Sequence, residues 1–127
     1  MIQKLFSGID LVKVERFREL NPQILERFFA RVFTQDERGY IAGSFERAAG
    51  IFAAKEALVK ALGCGIGPVS WQEVAIRYED TGRPLPELTG KAKAAEKALG
   101  IVEWSVSISH TRNSAVAMAV AYSLADD

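Results

Sequence analysis

The chain is short of almost everything that marks a secreted, metal-thiolate or membrane protein. It has one cysteine, Cys64, and one histidine, His110, in 127 residues. A single thiol excludes an internal disulfide framework and suits a reducing compartment. A single imidazole excludes a histidine-rich metal site. No apolar run approaches the ~20 residues of a membrane span, and Asp10 interrupts the N-terminal stretch too soon for a signal peptide. Excess charge is missing as well. Sixteen basic residues balance sixteen acidic ones, so bulk charge argues for neither nucleic acid nor a membrane surface. No Walker phosphate loop, internal repeat or low-complexity linker is present. The expectation is one soluble cytoplasmic domain over residues 1–127, long enough to bury about two thirds of its unfolded surface.

What stands out against this background is Ala48–Leu62, AAGIFAAKEALVKAL, in which 11 of 15 residues are apolar. A helix apolar almost all round is normally buried. This one nonetheless carries Lys55, Glu56 and Lys60. At about 100° per residue Glu56 and Lys60 lie only about 40° apart, so they share a face. Burial of those two charges costs several kcal/mol per ion unless each finds partners. That pattern points to a ligand such as a metal or a phosphate.

The rest of the chain reads as short alternating elements. Leu5–Val14 is expected to be a strand, with Gly8 and Asp10 on one face. Asn21 and Pro22 cap and open a helix through ILERFFARVF. Thr34 caps another, with Glu37 completing a capping box. Ser44 starts the long apolar helix and Gly63 stops it. Trp71–Tyr78 is expected to be a strand and Asp80-Thr81-Gly82 a turn, while Pro84 and Pro86 permit only an edge or extended segment. Gly90–Leu99 is an alanine- and lysine-rich helix. Glu103–His110 and Ser114–Tyr122 form a hairpin about a Thr111-Arg112-Asn113 turn. The order β-α-α-α-β-α-β-β predicts an α+β domain: an antiparallel sheet packed with a long buried helix.

Several residues can carry chemistry, each with a plainer alternative. Asp10 within a strand is either bonded to a local amide or, with Glu56, one of two hard oxygen ligands of the kind Mg²⁺ takes alongside water and phosphates. Lys60 either pairs with Glu56 at i,i+4 or serves a phosphoryl oxygen. Lys55 is expected to reach solvent or a phosphate at the rim. The loop Gly63-Cys64-Gly65-Ile66-Gly67 can bring backbone amides to an anion; Cys64 has no neighbouring base and is a poor nucleophile. In SVSISH, Ser105, Ser107 and Ser109 share one strand face, while Val106, Ile108 and His110 share the other. His110 is either a satisfied strand-end residue or, with a serine, a contact to a ligand phosphate or a proton-transfer group. Arg16, Arg18, Arg27 and Arg31 outnumber Glu19 and Glu26 in their segment, which suits a solvated face or an acidic partner.

In combination, GIDLVKVERF (Gly8–Phe17), RFFARVFTQDE (Arg27–Glu37), FAAKEALVKALGCG (Phe52–Gly65), GRP (Gly82–Pro84) and SISHT (Ser107–Thr111) resemble the holo-acyl-carrier-protein synthase family, the small 4′-phosphopantetheinyl transferases. The resemblance implies that family's fold and the transfer of 4′-phosphopantetheine from coenzyme A to a serine of apo-acyl carrier protein, in fatty acid biosynthesis. It implies Asp10 and Glu56 as Mg²⁺ ligands, and Glu56, Lys60 and His110 as catalytic residues. It also implies Lys60, Gly63, Gly65, Ser109 and His110 as the coenzyme A contacts, and Arg16 and Arg27 as basic residues facing the acidic carrier protein. A homotrimer with active sites between subunits is expected. The chain departs from the family pattern at Lys13, where many members are acidic, at Ile51, where arginine is usual, and at Cys64, where threonine is usual. These departures keep two alternatives in view: a transferase for a dedicated polyketide carrier protein, or a silent homologue that binds coenzyme A or carrier protein without transfer.

Overall fold

Strand β1 (Ile2–Lys13) opens the fold and strand β5 (Ser114–Leu124) closes it; they lie side by side with strand β4 (Ile101–His110) in an antiparallel sheet ordered β1-β5-β4. The computed structural model describes residues 1–126. Between β1 and β4 run helices α1 (Glu15–Arg18), α2 (Pro22–Val32), α3 (Gln35–Ile41) and α4 (Phe45–Leu62), a hairpin of β2 (Val74–Tyr78) and β3 (Pro84–Leu88), and α5 (Gly90–Leu99).

Local chemistry sets these boundaries. Asn21 Oδ1 accepts from the amides of Gln23 (2.8 Å) and Ile24 (3.4 Å), and Pro22 follows as the first helical residue. The Thr34–Glu37 capping box forms in both directions. Ser44 Oγ accepts from Arg47 N (3.2 Å) at the start of α4, and Gly63, at φ 74°, ends it in the left-handed conformation that glycine takes without strain.

Helix α4 lies between two unlike layers. On one side is the sheet, where the central strand presents small residues: Ala115, Ala117, Ala119 and Ala121 on β5, with Gly8 on β1 beside Phe6 and Val12, all buried. The approach is so close that a Cβ on Gly8 would overlap the carbonyl of Ala57. On the other side is an aromatic layer. Phe17 of α1, Phe28 of α2, Phe52 of α4 and Trp71 pack with ring centroids 5.2–6.2 Å apart. Enclosed by both layers, α4 is apolar all round, as its composition requires. The opposite face of the sheet is open: Leu5, Ile9 and Leu11 are 66%, 56% and 66% exposed, and Met118 and Leu124 are exposed beside them.

One expectation needs correction here. Trp71–Glu73 is a 3₁₀ turn, not the start of a strand, because Ser70 and Glu73 form a capping box around it. Pro84–Leu88 is an edge strand paired to β2 alone, as Pro84 and Pro86 permit. Pro86 faces Ile76 there, and the Ile76 amide points away to Glu37 Oε2 (2.7 Å), so the proline withdraws no ladder bond from Ile76. Glu15–Arg18, to which the sequence reading assigns no element, forms a single helical turn that buries Phe17.

Candidate functional site

Strand alternation turns Asp10 toward α4, on the same face as Gly8. One turn separates Glu56 from Lys60 on α4, and both reach the edge of the sheet where Asp10 stands. Lys60 Nζ donates to Asp10 Oδ1 (2.9 Å) and to the Ile9 carbonyl (3.0 Å). It therefore bonds across to β1, and among the described residues it makes no ion pair with Glu56. Partial burial pushes the half-buried Glu56 carboxyl above its ordinary range, and the charge of Asp10 pushes the same way, against Lys60 and Arg16. Asp10 and Glu56 share Lys60, and the charge of Arg16 also acts on Glu56.

The buried cation is the neighbouring residue. Lys55, expected at solvent or a phosphate rim, is fully buried and paired to Glu37 Oε1 at 2.7 Å, while the Lys60 side chain is 51% exposed. Burial holds the Lys55 ammonium below its usual pKa, with Glu37 opposing. The burial cost foreseen for Glu56 and Lys60 thus falls on Lys55. Glu37 was legible only as a capping residue; its second role depends on Lys55, 18 positions later, and no local pattern signals that.

The remaining candidates divide by position. Arg16 sits 5.6 Å over the Phe52 ring, beside Glu56. Arg27 is exposed on α2, where with Ile24, Phe28 and Arg31 it lines a shallow hollow. Among the described residues none of Arg16, Arg27 and Arg31 has an ion pair. Gly63 and Gly65, both at positive φ, have open space where a side chain would be. Their loop begins one turn beyond Lys60. A further hollow lined by Ser7, Gly8, Ile9, Lys60 and Met118 runs from the Lys60 edge onto the open sheet face.

His110 is not brought to Asp10 within the chain. It pairs with Ala115, and Asp10 pairs with Ala117 from the other side of β5. They stand on opposite edge strands, about 10 Å apart in strand spacing alone. His110 instead packs toward Gly50, where an added Cβ would lie 3.9 Å from its ring. It lies on the side of Glu46, whose carboxyl is held low chiefly by a backbone amide, then by Ser44 and Arg18. Ser109 faces the open side of the sheet with Ser107, Ile9 and Met118, opposite to His110. Of the three departures, Lys13 is exposed, Cys64 is half-buried, and Ile51 is fully buried in the core.

The family model described as the 4′-phosphopantetheinyl transferase superfamily matches residues 7–120. The chain belongs to that superfamily. It is 40% identical over 124 residues to the holo-[acyl-carrier-protein] synthase of Caldanaerobacter subterraneus subsp. tengcongensis, covering 93% of this chain and 94% of that protein. The holo-[acyl-carrier-protein] synthase of Solidesulfovibrio magneticus is 42% identical over 115 residues, covering 89% and 94%. Among solved structures, the Helicobacter pylori holo-[acyl-carrier-protein] synthase in complex with coenzyme A superposes with a TM-score of 0.81. It is 31% identical, covering 91% of this chain and 98% of that one. The fold expectation is met in full: an antiparallel sheet against a long buried helix.

Proposed function

We infer that the chain transfers 4′-phosphopantetheine from coenzyme A to a serine of apo-acyl carrier protein, acting as one domain over residues 1–127. The observation that carries this reading is the convergence of Asp10, Glu56 and Lys60 at one sheet edge, in a chain whose relatives are named for that reaction. In the reaction the serine oxygen bonds to the β-phosphorus of coenzyme A. The bond from that phosphorus to the bridging oxygen breaks, and adenosine 3′,5′-bisphosphate leaves with the electron pair.

The donor set fits Mg²⁺. Two carboxylates suit an ion that keeps most of its shell for water and substrate phosphates; burial first and the charge of Asp10 second raise Glu56, and a divalent cation offsets both. Among the described residues no cluster of three or more ligating side chains exists, so the site is not a closed protein cage. A Mg²⁺ ion held by Asp10 and Glu56 would supply charge neutralisation on the pyrophosphate oxygens.

The chain's own residues then have distinct tasks. Lys60 uses two of its three donors on Asp10 and the Ile9 carbonyl, which leaves one for the leaving phosphate. An ordered water or Glu56 accepts the serine proton. The loop at Gly63 and Gly65, with Ser109 and His110, holds coenzyme A. Arg16 and Arg27, which make no ion pair among the described residues, meet the acidic carrier protein.

A homotrimer with sites between subunits accounts for two features at once. It covers the open apolar face of Leu5, Ile9, Leu11 and Met118. It also lets His110 of one copy serve the Asp10 edge of another, which the separation within one chain prevents. The reading places the protein in the cytoplasm, in fatty acid and lipid biosynthesis. The test is intact-mass analysis of apo-carrier proteins incubated with coenzyme A and Mg²⁺, alongside light scattering of the protein. A phosphopantetheine mass increment and three times the chain's mass are expected. Coenzyme A binding with no increment on any carrier would instead make the protein a silent binding module.

A further inference from the structure

We propose that the buried Glu37–Lys55 pair is a positioning device for the transfer site: it fixes the setting of α4 so that Glu56, the residue after Lys55, meets Asp10. The inference rests on the reading of Asp10, Glu56 and Lys60 as the reacting edge. Lys55 Nζ lies 2.7 Å from Glu37 Oε1 and donates to the Trp71 carbonyl at 2.9 Å. Glu37 Oε1 accepts from Thr34 N (2.9 Å), and Oε2 accepts from Ile76 N (2.7 Å). Both side chains are fully buried, and among the described residues no buried side-chain nitrogen or oxygen lacks a partner. One ion pair thus joins the cap of α3, the middle of α4, the 3₁₀ turn and β2.

Such a pair is a poor way to gain stability, because well-packed apolar residues often serve as well or better. It is a good way to choose one arrangement among several. That need is real here. Where α4 meets the sheet, Ala53, Ala54, Ala57 and Ala61 lie among the buried residues of the helix, and Ala115, Ala117, Ala119 and Ala121 among those of β5. Small side chains over much of this contact specify a rotation less sharply than the larger Phe6, Val12 and Val106 around them, and cores lose uniqueness before they lose stability. Consecutive residues point about 100° apart on a helix. Anchoring Lys55 on the closed side therefore aims Glu56 at the edge strand. The same lysine holds Trp71, whose ring lies 5.2 Å from Phe52, and Arg16 rests over Phe52 beside Glu56. Lys55 and Glu37 touch no substrate; they act through Glu56 and Arg16.

The experiment compares K55M, E37Q, K55R and the apolar pair E37L/K55M with the native chain. Three quantities are read: thermal unfolding, kcat and KM for coenzyme A, and binding of Mn²⁺ alone, without substrate, by electron paramagnetic resonance. Outer-shell residues typically change metal affinity or activity by about 10–100-fold. K55M and E37Q should each lower kcat by about tenfold or more and weaken Mn²⁺ binding similarly, with KM for coenzyme A within about twofold. The apolar pair should regain the native melting temperature without regaining Mn²⁺ affinity or kcat, and K55R should retain more of both than K55M. A raised KM for coenzyme A at unchanged kcat would make Lys55 a ligand contact and overturn the proposal. Full recovery of kcat and Mn²⁺ affinity in the apolar pair, or failure of every variant to fold, would reduce the pair to a structural role. Should the native chain transfer nothing, the functional reading fails, and the Mn²⁺ measurements still decide the positioning claim.

Discussion

Lys55 and Lys60 are five residues apart on one helix, and each holds a carboxylate from another element at under 3 Å. Their surroundings could hardly differ more. Lys55 and Glu37 have no exposure, and every polar atom around them is matched by a capping amide, a strand amide or a carbonyl. Lys60 and Asp10 lie at the edge strand, 51% and 18% exposed, with Glu56 beside them and displaced upward in pKa. The closed pair is sealed from solvent and can accept no ligand. The open one leaves a lysine donor within reach of solvent beside two carboxylates. Access to solvent, not the presence of charge in an apolar helix, is what separates the reacting side of α4 from its anchoring side.

The sharpest contrast comes from truncating each lysine in turn. Lys55→Ala leaves Glu37 as a buried unpaired charge and should cost about 3–5 kcal/mol, read as a large fall in the midpoint of urea unfolding. Lys60→Ala removes a half-exposed pair and should change stability by less than about 1 kcal/mol, while turnover falls by about 10²–10³. If the two variants exchanged these behaviours, the division of labour would be wrong. Next in size is Gly8→Ala. Its Cβ would overlap the Ala57 carbonyl, so β1 must lift from α4 at an expected cost of about 1–3 kcal/mol. Because Asp10 rides on the same strand, transfer should fall more than unfolding alone explains; a melt-neutral variant with native turnover would show the close approach to be dispensable.

Much of this contrast was legible from residues close in sequence. Ser44 and Gly63 bracket α4, Thr34 and Glu37 announce α3, and two-residue alternation puts Gly8 with Asp10 and His110 opposite Ser109. Those are rules of one turn or one pleat. The same rule at Ser70 and Glu73 would have turned Trp71 from a strand into a helical turn, but the aromatic and aliphatic run beyond it outweighed that signal. The assignment of Lys55 failed for a deeper reason. Its partners Glu37, Trp71 and Ile76 come from three elements, so its burial follows only from the tertiary arrangement. The distance of His110 from Asp10 has the same origin, since strand order is set by long-range pairing.

A smaller effect is expected from pH. With no metal, the folded Glu56 carboxyl has a raised pKa, so the folded chain holds its proton more firmly than the unfolded one. Its contribution to stability is therefore lost as pH rises through the window above the ordinary carboxylate value and regained on acidification. Mg²⁺ competes with that proton. The thermal shift on adding Mg²⁺ should be largest near about pH 8 and shrink toward about pH 5, and should vanish in Glu56→Gln; an equal shift at both pH values would place the ion elsewhere. The smallest change concerns the arginine face. Arg27→Glu should raise KM for the carrier protein severalfold in low salt and less in high salt, with KM for coenzyme A unmoved.

The central claim is that transfer occurs at the Asp10–Glu56–Lys60 edge and not elsewhere on the helix. Its most direct test is the intact mass of apo-acyl carrier protein after timed incubation with coenzyme A, Mg²⁺ and either the native chain or folded Lys60→Ala. The account predicts rapid, complete addition of phosphopantetheine by the native chain and a rate lower by about 10²–10³ for the variant. Equal rates from the two proteins would contradict it.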